Sequence, residues 1–131
     1  MIGWFRNATL LLLVAFLWLA LSALASPRIE IRSPGRYGPA PSDWWITIRL
    51  DPHPEDRWLI IEVTGEPGEY RRSDVALEGE KAAKSRQVWF KSLSAGCYWF
   101  VATVADHSQA LAVDRLGPVS IVGLEGDLCP D

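Results

Sequence analysis

The chain has 131 residues, a formal charge of −3, two cysteines, two histidines and seven tryptophans, which suits one small domain with a single hydrophobic core and leaves no room for a second. Its longest cationic run is the pair Arg71-Arg72. The basic stripe that a phosphate backbone demands is missing, so no nucleic-acid partner is expected.

The front of the chain is apolar from Ala8 to Ala25, follows Arg6, and meets no acidic residue before Glu30. A basic start, an apolar stretch and the small-residue exit Ala23-Leu24-Ala25 are the three parts of a secretory signal peptide, with cleavage predicted after Ala25. The alternative is an uncleaved signal anchor over residues 8–25, since about 18 apolar residues reach the lower limit for spanning a bilayer. Both readings place residues 26–131 outside the cytoplasm: periplasmic, secreted, or tethered to a membrane through the N-terminal segment alone. Loss of residues 1–25 removes one cation, Arg6, and leaves twelve basic against sixteen acidic residues, a charge of −4.

Beyond that segment, strand patterns alternate with turn signals, and no window of helical length carries a 3.6-residue apolar repeat. Arg28 to Arg32 alternates charge with Ile29 and Ile31, which reads as a short edge strand. Ser33 to Ser42 holds three prolines and two glycines and reads as an irregular crossing. Trp44, Ile46, Ile48 and Leu50 alternate against Trp45, Thr47 and Arg49. Asp51-Pro-His-Pro-Glu-Asp56 stops that strand, because its prolines fix φ and remove donors. Trp58 to Thr64 turns Leu59, Ile61 and Val63 to one face, and a weaker strand within Tyr70–Gly79 offers Val75 and Leu77. Glu78 to Arg86 is a charged connection with room for a helical turn. Gln87 to Asp106 reads as a core hairpin, Val88 and Phe90 alternating before a tight corner and Tyr98, Phe100, Ala102 and Val104 after it. Leu116 to Gly123 is the last strand, and a loose tail runs from Leu124 to Asp131. These patterns predict an all-β fold of about seven strands, an antiparallel Greek-key β-sandwich behind an N-terminal hydrophobic helix, with a closed barrel as the alternative.

The corner Leu93-Ser-Ala-Gly96-Cys-Tyr98 resembles the Leu-x-x-Gly-x-Tyr corner of secreted bacterial immunoglobulin-like and fibronectin type III-like sandwich domains. That resemblance implies an Ig-like fold in which Tyr98 opens the sixth strand and its hydroxyl reaches back to the backbone upstream of the turn. The second strand departs from fibronectin type III by closing on Leu50-Asp51-Pro52, and it lacks the cysteine of the immunoglobulin disulfide.

Cys97 and Cys129, two cysteines in an exported chain, are expected to form one disulfide that pins the tail to the corner. Candidate chemistry is sparse. His53 and His107 lie in loops with no nucleophile in an identifiable motif. His53 with Asp51, Glu55 and Asp56 matches no zinc spacing, and the acidic loop reads as solvated more readily than as a calcium loop. No metal or other cofactor is expected.

The alternation that turns aliphatic residues inward turns Trp45, Trp58, Trp89 and Trp99 outward, with Trp45 expected beside Trp89 and Trp58 beside Trp99. Flat indole faces suit a protein interface or a sugar ring, and cross-strand aromatic pairing is the simpler account. The expectation is therefore a non-catalytic extracytoplasmic binding or structural module, not an enzyme, that contacts an envelope or extracellular protein. A carbohydrate-binding module with a glycan partner and a small secreted hydrolase are the alternatives.

Overall fold

The structure, a computed structural model, describes residues 2–23, 28–66, 68–123 and Cys129, and within the N-terminal helix the side chains of residues 7–17. Helix α1 (Ile2–Ala23) is built from leucine and alanine, strong helix formers, and Asn7 to Leu17 are exposed along it. Among the described residues no helix is long and apolar enough to cross a membrane. The expected cleavage site after Ala25 and most of the tail from Leu124 lie outside the described residues.

Among the described residues, eight strands form two sheets. The first contains β1 (Ile29–Arg32), β3 (Ser42–Leu50) and β6 (Ser85–Leu93), antiparallel in the order β1-β3-β6. The second contains β2 (Tyr37–Pro39), β8 (Ala110–Val122), β7 (Gly96–Ala105), β4 (Trp58–Glu66) and β5 (Glu69–Ala76), in the order β2-β8-β7-β4-β5. Every pairing is antiparallel except β2 with β8. Among the described residues each sheet ends in strands paired on one side alone, so the barrel alternative is not adopted.

Period-2 alternation explains the layering, because each strand presents one apolar face. Ile46 and Ile48 from β3 meet Leu59, Ile61 and Val63 from β4 and Phe100, Ala102 and Val104 from β7 in one core between the sheets. The rings of Phe90 and Phe100, 5.5 Å apart, join the layers directly. Each such side chain contributes about 1.5 to 3 kcal/mol by leaving water. Val75 packs against this core and Leu77 is buried in it, as their alternation predicts, and Gly79–Lys81 forms the short helical turn in the charged connection.

Three sequence expectations need correction. The Gln87–Asp106 stretch is not a hairpin: β6 pairs with β3 while β7 pairs with β4 and β8, and the chain changes sheets at Ser94-Ala95. Alternation looks the same whether two successive strands pair with each other or with different neighbours, so the pattern could not separate these cases. Secondly, Ser33–Ser42 is not wholly irregular, since Tyr37–Pro39 lies parallel to Ser120–Val122 as an added edge strand. Thirdly, the last strand begins at Ala110 and runs thirteen residues, lengthened by pairing with β7 that its mixed burial does not announce.

The Asp51–Asp56 loop is also not wholly solvated. Asp56 is fully buried and forms an ion pair with Arg28, while its second carboxylate oxygen accepts from the His53 backbone N–H at 2.9 Å. A Leu50 N–H bond to the Lys84 carbonyl and an Asp51 N–H bond to the Arg28 carbonyl close this end of the sheets.

Candidate functional site

Two features meet where the chain crosses between sheets: the Tyr98 corner and the cysteine bridge beside it. Leu93 and Tyr98 are buried, and the Tyr98 hydroxyl donates toward the Ser94 carbonyl oxygen at 2.7 Å and the Glu69 carboxylate at 2.9 Å. The resemblance implied a reach to the backbone upstream of the turn; the acceptor is instead Ser94, within the connection between β6 and β7. Gly96 and Gly65 make room for it: a Cβ on Gly96 would lie 2.2 Å from the Glu66 carbonyl oxygen, and one on Gly65 would lie 2.5 Å from the Tyr98 ring.

Glu69, Arg71, Arg72 and Asp74 are near neighbours in sequence, a charge cluster that by composition alone most simply faces water. In the fold only Arg72 and Asp74 of that cluster form an exposed pair, whereas Glu69 binds Tyr98 and Arg71, and Arg71 donates to the Lys91 carbonyl on β6. Burial opposes the Glu69 charge, but hydrogen bonds from Tyr98 and Arg71 and the Arg71 charge outweigh it and hold the carboxyl below its ordinary range. Burial, reinforced by the neighbouring Glu69 carboxylate, pushes the Tyr98 hydroxyl up.

Cys97 points to the opposite side of β7 from Tyr98 and is bonded to Cys129, with Cα atoms 5.6 Å apart. Its register partners are Glu66 on β4 and Ser120 on β8, so all three side chains share the outer face of the five-stranded sheet. The Cys129 N–H donates to the buried Ser120 hydroxyl at 3.0 Å. Both cysteines are half-buried. With its ends 32 positions apart in sequence, the bridge restricts the unfolded chain by roughly 3.7 kcal/mol on the chain-entropy account.

The four tryptophans do not form one surface. Trp45 and Trp89 are register partners on the outer face of the three-stranded sheet, their rings 5.0 Å apart, with the Lys91 ammonium 5.1 Å from the Trp89 ring centre. Trp58 and Trp99 lie on the other sheet and are not partners: Trp58 faces Ala105, and Trp99 faces Thr64. Six strand positions, about 20 Å, separate them. Strand order placed β4 beside β7 correctly, but a register shift of an even number of residues preserves every inward and outward assignment, so alternation could not fix the partners. Trp58 borders a shallow groove of about 380 Å³ with Ile60, Arg72, Asp74, Thr103 and His107. His53 lies 3.7 Å from Asp51 and 3.6 Å from Glu55 in its own loop.

The chain matches no protein-family model and no curated protein sequence. Its fold is similar to the superoxide reductase (neelaredoxin) from Ignicoccus hospitalis, at 18% identity, covering 71% of this chain and 79% of that one with a TM-score of 0.52. Two single-residue variants of that enzyme align over 78% of this chain and 86% of theirs, at 18% and 19% identity, each with a TM-score of 0.54. The similarity at this identity is one of fold. It corrects the expectation of a non-catalytic binding or structural module that is not an enzyme, and the carbohydrate-module and hydrolase alternatives with it, because these similar structures are redox enzymes.

Superoxide reduction calls for a group that changes oxidation state, for which proteins commonly use a transition ion held by imidazole, thiolate or carboxylate ligands. The residues here do not fit such an ion. The whole chain has two histidines, both cysteines are committed to one bond, and no group of three or more His, Cys, Asp or Glu side chains is placed to hold a metal among the described residues.

Proposed function

We propose that this chain is an exported redox protein in which the Cys97–Cys129 bridge is the group that takes up and returns electrons. Two observations support the redox class: the fold likeness to superoxide reductases, and a side-chain inventory in which the bonded cysteines are the pair suited to reversible electron exchange. The observation that carries the assignment is the bridge's position. It ties a strand in the sheet to a residue near the end of the chain, and Cys129 is otherwise anchored through Ser120 and Val119. Opening it therefore leaves the core between the sheets in place.

Reduction adds two electrons and two protons, breaks the S–S bond and leaves one thiol on Cys97 and one on Cys129. Reoxidation by a second disulfide reverses each step. Export is supported by the signal-like residues 1–25 and by the use of both cysteines in one bridge, the habit of oxidising compartments; residues 26–131 then form the mature domain. Within the two-sheet architecture, the Leu93-x-x-Gly96-x-Tyr98 corner with its hydroxyl on Ser94 supports the finer reading of an Ig-like, fibronectin type III-like sandwich.

The test is the bridge's reduction potential, measured by equilibrating the purified chain in defined thiol and disulfide buffers, trapping thiols by alkylation and counting them by mass spectrometry. Exchange-competent pairs lie between about −120 and −270 mV, and structural bridges below about −300 mV. A midpoint within the first range is expected. One below −300 mV would overturn the proposal.

A further inference from the structure

The two sheets have four edge strands among the described residues, and three of them are guarded. On β1 the Ile31 N–H is taken by the Asp114 carboxylate at 2.8 Å, β2 is three residues long and ends on Pro39, and near the end of β6 the Lys91 and Ser92 carbonyls accept from Arg71. β6 also carries Arg86 and Lys91 with no acidic residue, so two copies of that edge would repel. β5 differs. Its eight residues contain no proline and pair with β4 without a bulge, and among the described residues no strand pairs with its other side. An edge of this kind is a template for a further strand.

The ladder fixes which groups face outward. Leu77 donates to the Arg57 carbonyl at 2.8 Å, and hydrogen-bonded and non-bonded pairs alternate along an antiparallel ladder. Ser73 and Val75 therefore bond toward β4, whereas the N–H and C=O groups of Tyr70, Arg72, Asp74 and Ala76 point away from it. The side chains of these four residues are exposed, and Arg72 donates to Asp74 of its own strand at 2.8 and 3.2 Å.

A second β5 laid antiparallel along this edge must take a register. A two-fold axis at Arg72 opposes two guanidinium groups, and one at Asp74 opposes two carboxylates; like charges directly opposite destabilise a sheet. An axis at Ser73 places Arg72 opposite the partner's Asp74 and Asp74 opposite the partner's Arg72, with Tyr70 opposite Ala76 at either end. We infer that β5 is a self-association edge, through which two copies of this chain join about an axis at Ser73 into one continuous sheet. The contact is isologous, with about eight backbone hydrogen bonds between the copies and a row of alternating charges on the outer face. A second copy is the occupant because the charge order of the edge is matched by its own reverse. Nothing in this contact involves the Cys97–Cys129 bridge, so it stands apart from the redox reading.

The experiment uses the full chain in a non-ionic detergent, which covers the exposed apolar residues of α1. Ser73→Cys sets two thiols across the axis, where directly opposed Cβ atoms lie about 4.5 to 5.5 Å apart; mild oxidation and mass spectrometry of the joined peptides then count the link between the two copies of position 73. Ala76→Cys is the control, since each copy of that position lies about 20 Å from the other, and it should link about tenfold less. Adding Arg72→Asp or Asp74→Arg to Ser73→Cys opposes like charges across the axis and should lower the yield about fivefold. Mixing these two double variants in equal amounts should bring the yield back to within about twofold of the Ser73→Cys chain, because each then meets its complement. Mixing leaves the pair within each strand unrepaired, so the recovery reports the contact between copies. A Ser73→Cys chain that links no better than Ala76→Cys, charge variants that link as well as their parent, or a mixture that stays unlinked each overturns the inference.

Discussion

Replacing Asp56 by alanine is expected to destabilise the domain more than any surface change, and the size of the effect follows from what the carboxylate touches. Asp56 is fully buried, pairs with Arg28, and accepts the His53 N–H. Arg28 is itself mostly buried, and its Nε has no hydrogen-bond partner, so the ion pair is what offsets the cost of holding its charge there. Alanine leaves that guanidinium uncompensated and the His53 donor unmatched. Removing one member of a buried pair costs about 3 to 5 kcal/mol, a large share of the 5 to 15 kcal/mol that holds a typical domain. For a domain of this size that is a fall in melting temperature of roughly 15 to 25 °C. Urea denaturation followed by tryptophan fluorescence measures it. The double variant Arg28→Met, Asp56→Ala should recover part of the loss, because the stranded charge leaves with its partner. If Asp56→Ala costs under 1 kcal/mol, or if the double variant is as unstable as the sum of the singles, the pair does not hold this end of the sheets.

Tyr98→Phe should cost about 1 to 2 kcal/mol at neutral pH through the lost hydroxyl bonds to Ser94 and Glu69. It should also change the pH profile. The folded protein holds the Tyr98 hydroxyl above its ordinary 10.0, so its contribution is complete below that value and is lost as pH rises through the folded pKa; chemical denaturation between pH 8 and 11 should show a steeper alkaline decline in the wild type than in the phenylalanine variant, which keeps only the smaller contribution of the exposed Tyr70, raised by its hydrogen bond to Glu62. Glu69 acts in the opposite sense: its lowered pKa contributes stability above the ordinary 4.5 that disappears as pH falls. Trp58→Ser and Trp99→Ser, at residues 41% and 37% exposed, should each change stability by no more than about 1 kcal/mol, whereas Trp44→Ser, at a residue 5% exposed, should cost roughly 3 to 5 kcal/mol. Equal losses at all three would mean that the inward and outward assignment fails.

Much of the domain was readable in the residues because burial in a sheet imposes a period of two, and that period survives in the order of amino acids. Ile46, Ile48, Leu59, Ile61, Phe90, Phe100 and Ala102 are in the core on this ground alone, and the backbone contact of Tyr98 was expected only from the resemblance of the corner to sandwich domains. Cys97 and Cys129 were paired by count and by the signal-like composition of residues 1–25. Alternation carries no information about partners or register, however. It could not show that β6 and β7 belong to different sheets, that Trp58 lies some 20 Å from Trp99, or that Tyr37–Pro39 joins the β8 edge. Charges are still less legible, since a lone Arg28 and a lone Asp56 look solvated until the sheets close over them, and Glu69 reads as one of several surface acids until Tyr98 meets it. The likeness to superoxide reductases was equally out of reach at 18% to 19% identity, because it resides in the arrangement of strands and not in any residue pattern. The sequence by itself thus determined which side chains leave water. The tertiary structure decided which of them meet, because strand partners and register depend on how the sheets close and leave no trace in alternation.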